Sequence, residues 1–270
     1  MEPISDGVRL YQVDAFTAKP FSGNPAGVCV IDDEPIGESV MQKVAAEMNL
    51  SETAFVEPRP DGYSIRWFTP KVEVTLCGHA TLASAHILWE TGRVDAKSDI
   101  PFHSKSGILT ARPAAGKIEL NFPQIAIEPA APNELVNRAF EITPVFTGKN
   151  GPRLLIEIAD PKKLRTLTPD FQLLLQADLK TFSITCKSDV PEYDFLSRFF
   201  APAVGIPEDP VTGSAHCYLA PYWSGKLGKK VARGFQASPR GGEVECEVVG
   251  LERVLLRGQA VTVFAGTLYL

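Results

Sequence analysis

The 270-residue chain has a formal net charge of -5, a hydrophobic fraction of 44% and a charged fraction of 22%. These proportions are typical of a folded globular protein and exclude a disordered chain. The chain has no long Lys/Arg-rich run that would neutralise a phosphate backbone, so we expect no nucleic-acid partner. No segment has the ~18 apolar residues of a membrane helix and the first six residues do not resemble a signal sequence, which together predict a cytoplasmic protein without a membrane partner. The five cysteines are widely spread without CxxC spacing, which indicates reduced thiols.

In the first half of the chain, apolar periodicity predicts two helices among several strands. The first helix has its apolar face at Val40 to Met48 and a stop signal at Asn49, and the second runs from about Ala80 to Gly92. The predicted strands are Val8–Phe16, Val28–Ile31, Leu50–Val56, Ile65–Phe68, Val72–Val74, Phe102–Arg112 and Lys117–Phe122.

The second half follows a Pro-rich linker, Pro123 to Pro132. Its predicted helices are Glu134–Phe140, Asp170–Gln176 and one that begins after Gly213 and ends at Gly225 or Gly228, with Leu164–Leu167 left unassigned. Its predicted strands are Val145–Phe146, Leu154–Ile158, Phe182–Thr185, Asp194–Phe200, Val244–Val249, Val254–Leu256 and Ala260–Phe264. Because strands outnumber helices and occur in runs, the sequence predicts an α+β architecture.

The chain contains an internal repeat. Thr75–Ala85 resembles Pro210–Ala220, and Gly213 follows Gly78 by 135 residues, half of the chain. A repeat this long indicates a duplicated domain rather than a solenoid. We therefore predict two similar halves, residues 1–122 and 123–270, and leave open whether the last strand crosses to the first half. Each copy predicts a strand, a glycine turn and a helix, and two such helix N-termini facing one cleft would bind a carboxylate.

Four polar residues near these turns are candidates for chemistry. His79 follows the first turn glycine, where it would stand beside a bound anion, and Ser214 has the same place in the second copy. Either residue could equally make only a local hydrogen bond at the helix end. Asp209 precedes Pro210, which favours an extended backbone and would direct the carboxylate toward the turn. Glu52 lies at a helix-to-strand junction among apolar neighbours, and partial burial raises the pKa of a carboxyl group toward the range useful for general acid/base catalysis.

A thiol also lies at the first turn. Cys77 is placed where a helix N-terminus would stabilise a thiolate, as a two-base racemase requires. The equivalent residue of the second copy is Thr212, so the partner base is missing and we favour a buried, inert thiol. His79 and His86 are seven residues apart, a poor spacing for a metal pair, and no HExxH, GxSxG or GxGxxG motif occurs. We therefore expect neither a metal nor a cofactor.

Several motifs in register resemble the phenazine-biosynthesis isomerase-like (PhzF-like) family over almost the whole chain. They are Asp14–Thr17, Gly23–Ala26, Leu50–Phe55, Arg66–Pro70, Cys77–Thr81 and Glu208–His216. The resemblance implies the diaminopimelate-epimerase fold, with two pseudo-symmetric halves, each a curled, mostly antiparallel sheet around a central helix, and a site between them. It also implies a homodimer.

The resemblance further implies a cofactor-free isomerase that moves a proton on a small carboxylate-bearing substrate. Glu52 matches the general acid/base, and His79, Asp209 and Ser214 match residues that contact the substrate or relay protons. Gly78 and Gly213 match backbone N–H donors, and Ser51, beside Glu52, completes the expected substrate-binding residues. The alternatives are a one-thiol racemase, epimerase or dehydratase that uses Cys77, and a non-catalytic binding or regulatory protein on the same fold.

Overall fold

The computed structural model describes residues 7–32 and 34–270. Residues 1–6, on which the expectation about a signal sequence depends, lie outside the described residues. None of the helices in the described ranges has the length and apolar character needed to cross a membrane.

In the described residues the strands outnumber the helices and follow one another in runs, as is typical of an α+β protein. The helices are α1 (Glu38–Met48), α2 (Gly78–Glu90), α3 (Glu134–Phe140), α4 (Pro161–Arg165), α5 (Phe171–Leu174) and α6 (Gly213–Leu227). The strands up to the middle of the chain are β1 (Val8–Ala15), β2 (Asn24–Val30), β3 (Glu52–Arg59), β4 (Gly62–Phe68), β5 (Glu73–Val74), β6 (Ile100–Ser104), β7 (Gly107–Ala114), β8 (Lys117–Pro123) and β9 (Glu128–Pro129). The later strands are β10 (Phe146–Asn150), β11 (Arg153–Glu157), β12 (Thr181–Lys187), β13 (Phe195–Ala201), β14 (Ile206–Asp209), β15 (Val231–Gln236), β16 (Gly242–Val249), β17 (Arg253–Gly258) and β18 (Ala260–Leu268).

Helix ends were predicted well where the chain has a clear stop or start signal. Asn49 adopts the left-handed conformation at the end of α1, with φ 50°, and α3 has the predicted bounds. Of the two candidate stops for α6, Gly228 is the one in the left-handed conformation. Asp170 caps α5 through its side chain, but that helix ends at Leu174, before the predicted Gln176.

Several predictions of secondary structure were wrong or incomplete, and three of them are instructive. The run Phe102–Arg112 is two strands, β6 and β7, because the chain turns before Gly107, whose φ is 94°. The unassigned region near Leu164 belongs to α4, which Asp160 caps. Strand β15 was missed, because its buried positions are Ala232, a glycine and a glutamine while Val231 is 42% exposed, the reverse of the usual apolar pattern.

The chain divides into two compact units. The first comprises residues up to Asn121 together with Arg257–Leu270, and the second comprises Phe122–Leu256. The predicted second half, 123–270, included the last strand, but β18 pairs with β1 antiparallel. The last strand therefore belongs with the first unit, which answers the question that the sequence left open.

The first unit is a mostly antiparallel sheet against a central helix. Its strands pair in the order β18, β1, β2, β3, β4, β6, β7, β8, and of these pairs β2–β3 and β4–β6 are parallel and the others antiparallel. Helix α2 packs against β1, β2, β3 and β18. A helix that is apolar on all sides is expected to be buried. Accordingly, these α2 residues have 0% exposure: Ala80, Leu82, Ala83, Ala85, Ile87 and Leu88.

The second unit repeats this arrangement. Its strands pair in the order β9, β10, β11, β12, β13, β15, β16, and only β11–β12 and β13–β15 are parallel. Helix α6 packs against β15 and β16. The order of parallel and antiparallel pairs in these seven strands matches that of β18 to β7 in the first unit, which confirms the two pseudo-symmetric halves predicted from the repeat.

An arginine at the equivalent place of each copy binds a glutamate in the same way. Nε and Nη2 of Arg66 donate to the two carboxylate oxygens of Glu73 at 2.8 and 2.7 Å. Nε and Nη2 of Arg198 donate to those of Glu208 at 2.7 Å each. In each copy the guanidinium also lies over the phenylalanine ring two residues on, at 5.1 and 5.0 Å. The duplication therefore includes side-chain contacts as well as topology.

Candidate active site

The first candidate site lies where β3 begins and α2 begins. Glu52 is the first residue of β3 and pairs in register with Ala26 of β2. Helix α2 begins at Gly78, earlier than the predicted Ala80, so that His79 lies in its first turn. The N-cap residue, Cys77, makes no side-chain cap. Backbone N–H groups of the first helical turn have no partner within the helix, and here no N-cap side chain satisfies them.

Glu52 and His79 meet at this point. Nε2 of His79 lies 3.3 Å from Oε2 of Glu52, and the two side chains are 6% and 14% exposed respectively. The Nε2 atom is buried and has no hydrogen-bond partner, so the contact with Glu52 is close without the alignment of a hydrogen bond. Burial lowers the pKa of His79 to about 3, because a charged imidazolium is disfavoured away from water. His79 is therefore neutral at physiological pH.

Cys77 contacts the other side of the same ring. Its Sγ lies 3.5 Å from Nδ1 of His79, and its carbonyl oxygen accepts a hydrogen bond of 2.6 Å from the hydroxyl of Thr81, which fixes the turn. The thiol is buried, as expected. The imidazole thus has a thiol near one nitrogen and a carboxylate near the other. This contact was not predicted from the sequence, where Cys77 was compared only with Thr212 of the second copy and not with its neighbour two residues on.

The remaining residues considered at the first turn are Ser51, Gly78 and His86. Ser51 lies half-buried in the bend before β3, and Gly78 is half-buried at the start of α2. His86 lies elsewhere, with Nε2 at 3.1 Å from the hydroxyl of Thr262 and 3.6 Å from Glu90. The structure therefore brings together Ser51, Glu52, Gly78 and His79.

The second candidate site lies in the second unit, at the turn between β14 and α6. Asp209 ends β14 in extended backbone, as predicted from the following proline, and is 8% exposed. Its Oδ2 accepts a hydrogen bond of 2.5 Å from the hydroxyl of Thr212. Thr212 is the N-cap residue of α6 but makes no side-chain cap. Threonine usually caps a helix through its hydroxyl, and here that hydroxyl binds the carboxylate instead.

Gln236, a residue that the sequence analysis missed, fixes this turn. Its Oε1 accepts from the N–H of Thr212 at 2.9 Å, and its Nε2 donates to the carbonyl of Asp209 at 2.7 Å. The side chain has 0% exposure. It lies at the end of the missed strand β15, 27 residues beyond Asp209, and no motif links the two.

The remaining residues of the second turn differ in exposure. Gly213 is buried and Ser214 is exposed. His216 is fully buried, with Nδ1 at 2.8 Å from the carbonyl oxygen of Thr212. Burial lowers the pKa of His216 to about 4. The second turn therefore contains Asp209, which accepts hydrogen bonds from Thr212 and Gln236, and the exposed Ser214.

Comparison with known proteins agrees with the fold and the motifs. Residues 13–266 match the family described as phenazine biosynthesis-like protein (PhzC-PhzF). An uncharacterized isomerase of Halalkalibacterium halodurans is 53% identical over 97% of this chain and 98% of its own length. The human phenazine biosynthesis-like domain-containing protein is 40% identical over 96% of this chain and 98% of its own length.

Solved structures show the same architecture. A crystal structure of a phenazine biosynthesis protein of the PhzF family from Enterococcus faecalis has a TM-score of 0.93 and 38% identity, with 98% of this chain and all of that chain covered. A hydroxyproline epimerase from Agrobacterium vitis has a TM-score of 0.62 at 10% identity, with 98% and 93% covered, which shows a shared fold alone. The class is thus an isomerase on an epimerase-like α+β fold. The chain belongs to the phenazine biosynthesis-like (PhzF) family.

Proposed function

We propose that the chain is a cofactor-independent isomerase that moves a proton between carbon atoms of a small carboxylate-bearing substrate, either a cyclic or an acyclic amino or hydroxy acid. Glu52 is the proton carrier in this proposal, and His79 is its neutral partner. The observation that supports it most directly is the 3.3 Å separation of Oε2 of Glu52 and Nε2 of His79 at the start of α2.

The protonation state of His79 favours this division of roles. Because burial lowers its pKa to about 3, His79 is almost entirely neutral at neutral pH. It is therefore a poor general acid, and a poor base as well. A neutral imidazole still has one N–H donor and one lone pair. It can orient the Glu52 carboxyl group, or a substrate atom beside it, in either protonation state of the glutamate.

The N-terminus of α2 supplies a place for the substrate carboxylate. Its first-turn N–H groups lack an N-cap side chain, and the positive end of the helix dipole favours an anion. A carboxylate bound there would lie next to Glu52, and the positive end of the dipole would stabilise the negative charge that spreads onto it when a proton leaves the adjacent carbon. Asp209 and Ser214 remain, as the resemblance predicts, candidates for substrate contact.

The experiment is proton NMR in D₂O with trans-2,3-dihydro-3-hydroxyanthranilate, the compound that the family resemblance suggests. We expect isomerisation with deuterium incorporation by the wild type, and a loss of at least about 100-fold in Glu52→Gln, the usual scale of general acid/base catalysis. Glu57→Gln is the matched control, since Glu57 is half-buried on the same strand. Retained turnover in Glu52→Gln excludes Glu52 as the proton carrier.

If neither protein changes that compound, a panel of cyclic and acyclic amino and hydroxy acids is scored for exchange at the carbon beside the carboxylate. Exchange that depends on Glu52 identifies the substrate class. The homodimer suggested by the resemblance stays a prediction, and sedimentation equilibrium tests it.

A second candidate function is a one-thiol epimerase or dehydratase that uses Cys77. The 3.5 Å contact between Sγ of Cys77 and Nδ1 of His79 favours it, because a histidine beside a cysteine can accept the thiol proton. The two functions differ in which residue takes the proton from carbon, so that single substitutions at Glu52 and Cys77 separate them.

A further inference from the structure

The cluster formed by Glu52, Cys77 and His79 has a chemistry that proton transfer by Glu52 does not use. One donor atom from each residue, a carboxylate oxygen, a sulfur and an imidazole nitrogen, lies within 4.8 Å of the other two. Thiolate, imidazole and carboxylate are the three ligand types that bind Zn²⁺ in proteins. Three protein ligands with an open fourth position is also the usual composition of an accessible zinc site.

The separations in the cluster are close to those of zinc ligands. With Zn–S of about 2.3 Å and Zn–N and Zn–O of about 2.0–2.2 Å, a tetrahedral ion holds its ligand atoms about 3.4–3.6 Å apart. Sγ of Cys77 and Nδ1 of His79 are 3.5 Å apart, and Nε2 of His79 and Oε2 of Glu52 are 3.3 Å apart. These two contacts use opposite ring nitrogens, so one of the flanking side chains must turn about its own bonds to reach a shared ion. Because no separation exceeds 4.8 Å, this turn has to close at most about 1.4 Å.

An independent observation points to a ligand at this place. Nε2 of His79 has no hydrogen-bond partner, and water does not replace one, because the residue is only 5% exposed. Leaving a buried polar atom unpaired costs about 1–3 kcal/mol. A metal ion bound at Nε2 removes that cost. The ligands also sit on ordered elements, since His79 is in the first turn of α2 and Glu52 is the first residue of β3.

We propose that Glu52, Cys77 and His79 form a binding site for a soft divalent transition-metal ion such as Zn²⁺, and that the ion inhibits the enzyme. Binding replaces the S–H bond of Cys77 with a sulfur–metal bond and releases one proton to solvent, with no change of oxidation state. The inhibition rests on the proposed function, because a metal-bound Glu52 cannot take a proton from carbon. The metal site itself does not depend on the substrate or on Glu52 catalysis.

The test uses Co²⁺ as a spectroscopic substitute for Zn²⁺ on the full chain. A cobalt–thiolate bond gives a ligand-to-metal charge-transfer band in the near ultraviolet, which cobalt bound only by nitrogen and oxygen lacks. We expect a saturable band at one equivalent in the wild type, displaced by added Zn²⁺. The band is lost in Cys77→Ala and kept in Cys217→Ala, the matched control, whose buried thiol lies in the second unit.

Substitution of the other ligands sharpens the test. His79→Ala and Glu52→Gln are expected to weaken cobalt binding by at least about tenfold, since even a disturbed outer shell of a metal site costs that much. A band that persists unchanged in Cys77→Ala, or no saturable band in the wild type, overturns the proposed site. With a substrate in hand, Zn²⁺ should inhibit the wild type and Cys217→Ala to the same extent, and a chelator should restore the activity of both. If cobalt binds but Zn²⁺ does not inhibit, the site stands and its inhibitory role is excluded.

Discussion

Nε2 of His79 and Oε2 of Glu52 lie 3.3 Å apart, although the two residues are separated by 27 positions in the sequence. The contact arises because β3 and α2 both begin at this end of the first unit, and α2 packs against β3. A buried neutral imidazole beside a partly exposed carboxylate is an arrangement suited to proton transfer by the carboxylate. The predictions below test the residues that form and support the two candidate sites.

The first prediction concerns Cys77, and it separates the two candidate functions. If Glu52 alone moves the proton, Cys77→Ala retains turnover within about threefold, because the thiol only packs beside His79. If Cys77 is the base, turnover of the same variant falls by at least about 100-fold. The measurement is the initial rate of isomerisation and of deuterium incorporation for wild type, Cys77→Ala and the control Cys217→Ala. Alanine is preferred to alkylation, since an added group beside His79 would obstruct the site in either case.

The second prediction concerns stability at acid pH. Burial lowers the pKa values of His79 and His216 from 6.5 to about 3 and about 4. Between these values and 6.5 the unfolded chain binds protons that the folded chain does not, so stability decreases as the pH falls through 6.5. For His216 the loss between pH 7.5 and pH 5 is on the order of 2 kcal/mol.

Urea unfolding at a series of pH values measures this effect. His216→Gln is expected to unfold with a shallower dependence on pH below 6.5, whatever its stability at neutral pH. His103→Gln is the control, because the side chain of His103 is partly exposed, at 21%. An unchanged pH dependence in His216→Gln would show that this histidine does not contribute to acid unfolding.

The third prediction concerns Gln236. Its replacement by leucine removes the acceptor for the N–H of Thr212 and the donor to the carbonyl of Asp209. Each buried group left unpaired costs about 1–3 kcal/mol. Gln236→Leu should therefore lower the free energy of unfolding by several kcal/mol, whereas Gln172→Leu, at an exposed position of α5, should change it little.

A second variant separates a role in stability from a role in positioning Asp209. Gln236→Glu keeps an oxygen for the N–H of Thr212 and loses the donor to Asp209. If Gln236 positions Asp209 for substrate contact, this variant raises KM or lowers kcat under conditions where it is fully folded. Unchanged kinetics in folded Gln236→Glu would restrict the residue to a structural role.

The fourth prediction compares the two copies of the arginine–glutamate pair. The side chain of Arg198 is 7% exposed and that of Arg66 is 28% exposed. Removing one partner of a buried pair typically costs 3–5 kcal/mol, since the other charge stays buried, whereas an exposed pair contributes about 0–1 kcal/mol. Arg198→Met should therefore destabilise the chain by more than Arg66→Met, by about 2 kcal/mol or more. If urea unfolding shows that both variants lose the same free energy of unfolding, burial does not set the contribution of this pair.

Much of the fold was predictable from local sequence signals. The apolar spacing of α1 with its stop at Asn49, the apolar surface of α2 and the bounds of α3 each depend on residues close together in the chain. The internal repeat added the long-range information that the two halves are similar. Strand β15 was missed because its buried positions are small or polar, so that no local pattern marks it.

The sequence by itself determined the class of fold, the two glycine turns and the presence of Glu52, His79 and Asp209 near helix and strand ends, because these features follow from periodicity, turn chemistry and motif spacing. Only the tertiary structure decided which side chains meet. It pairs β18 with β1, places the ring of His79 between Cys77 and Glu52, and brings Gln236 into hydrogen-bond contact with Asp209. Such contacts depend on strand pairing and helix packing between distant segments. The free energy of burial selects them, and no short stretch of sequence contains that information.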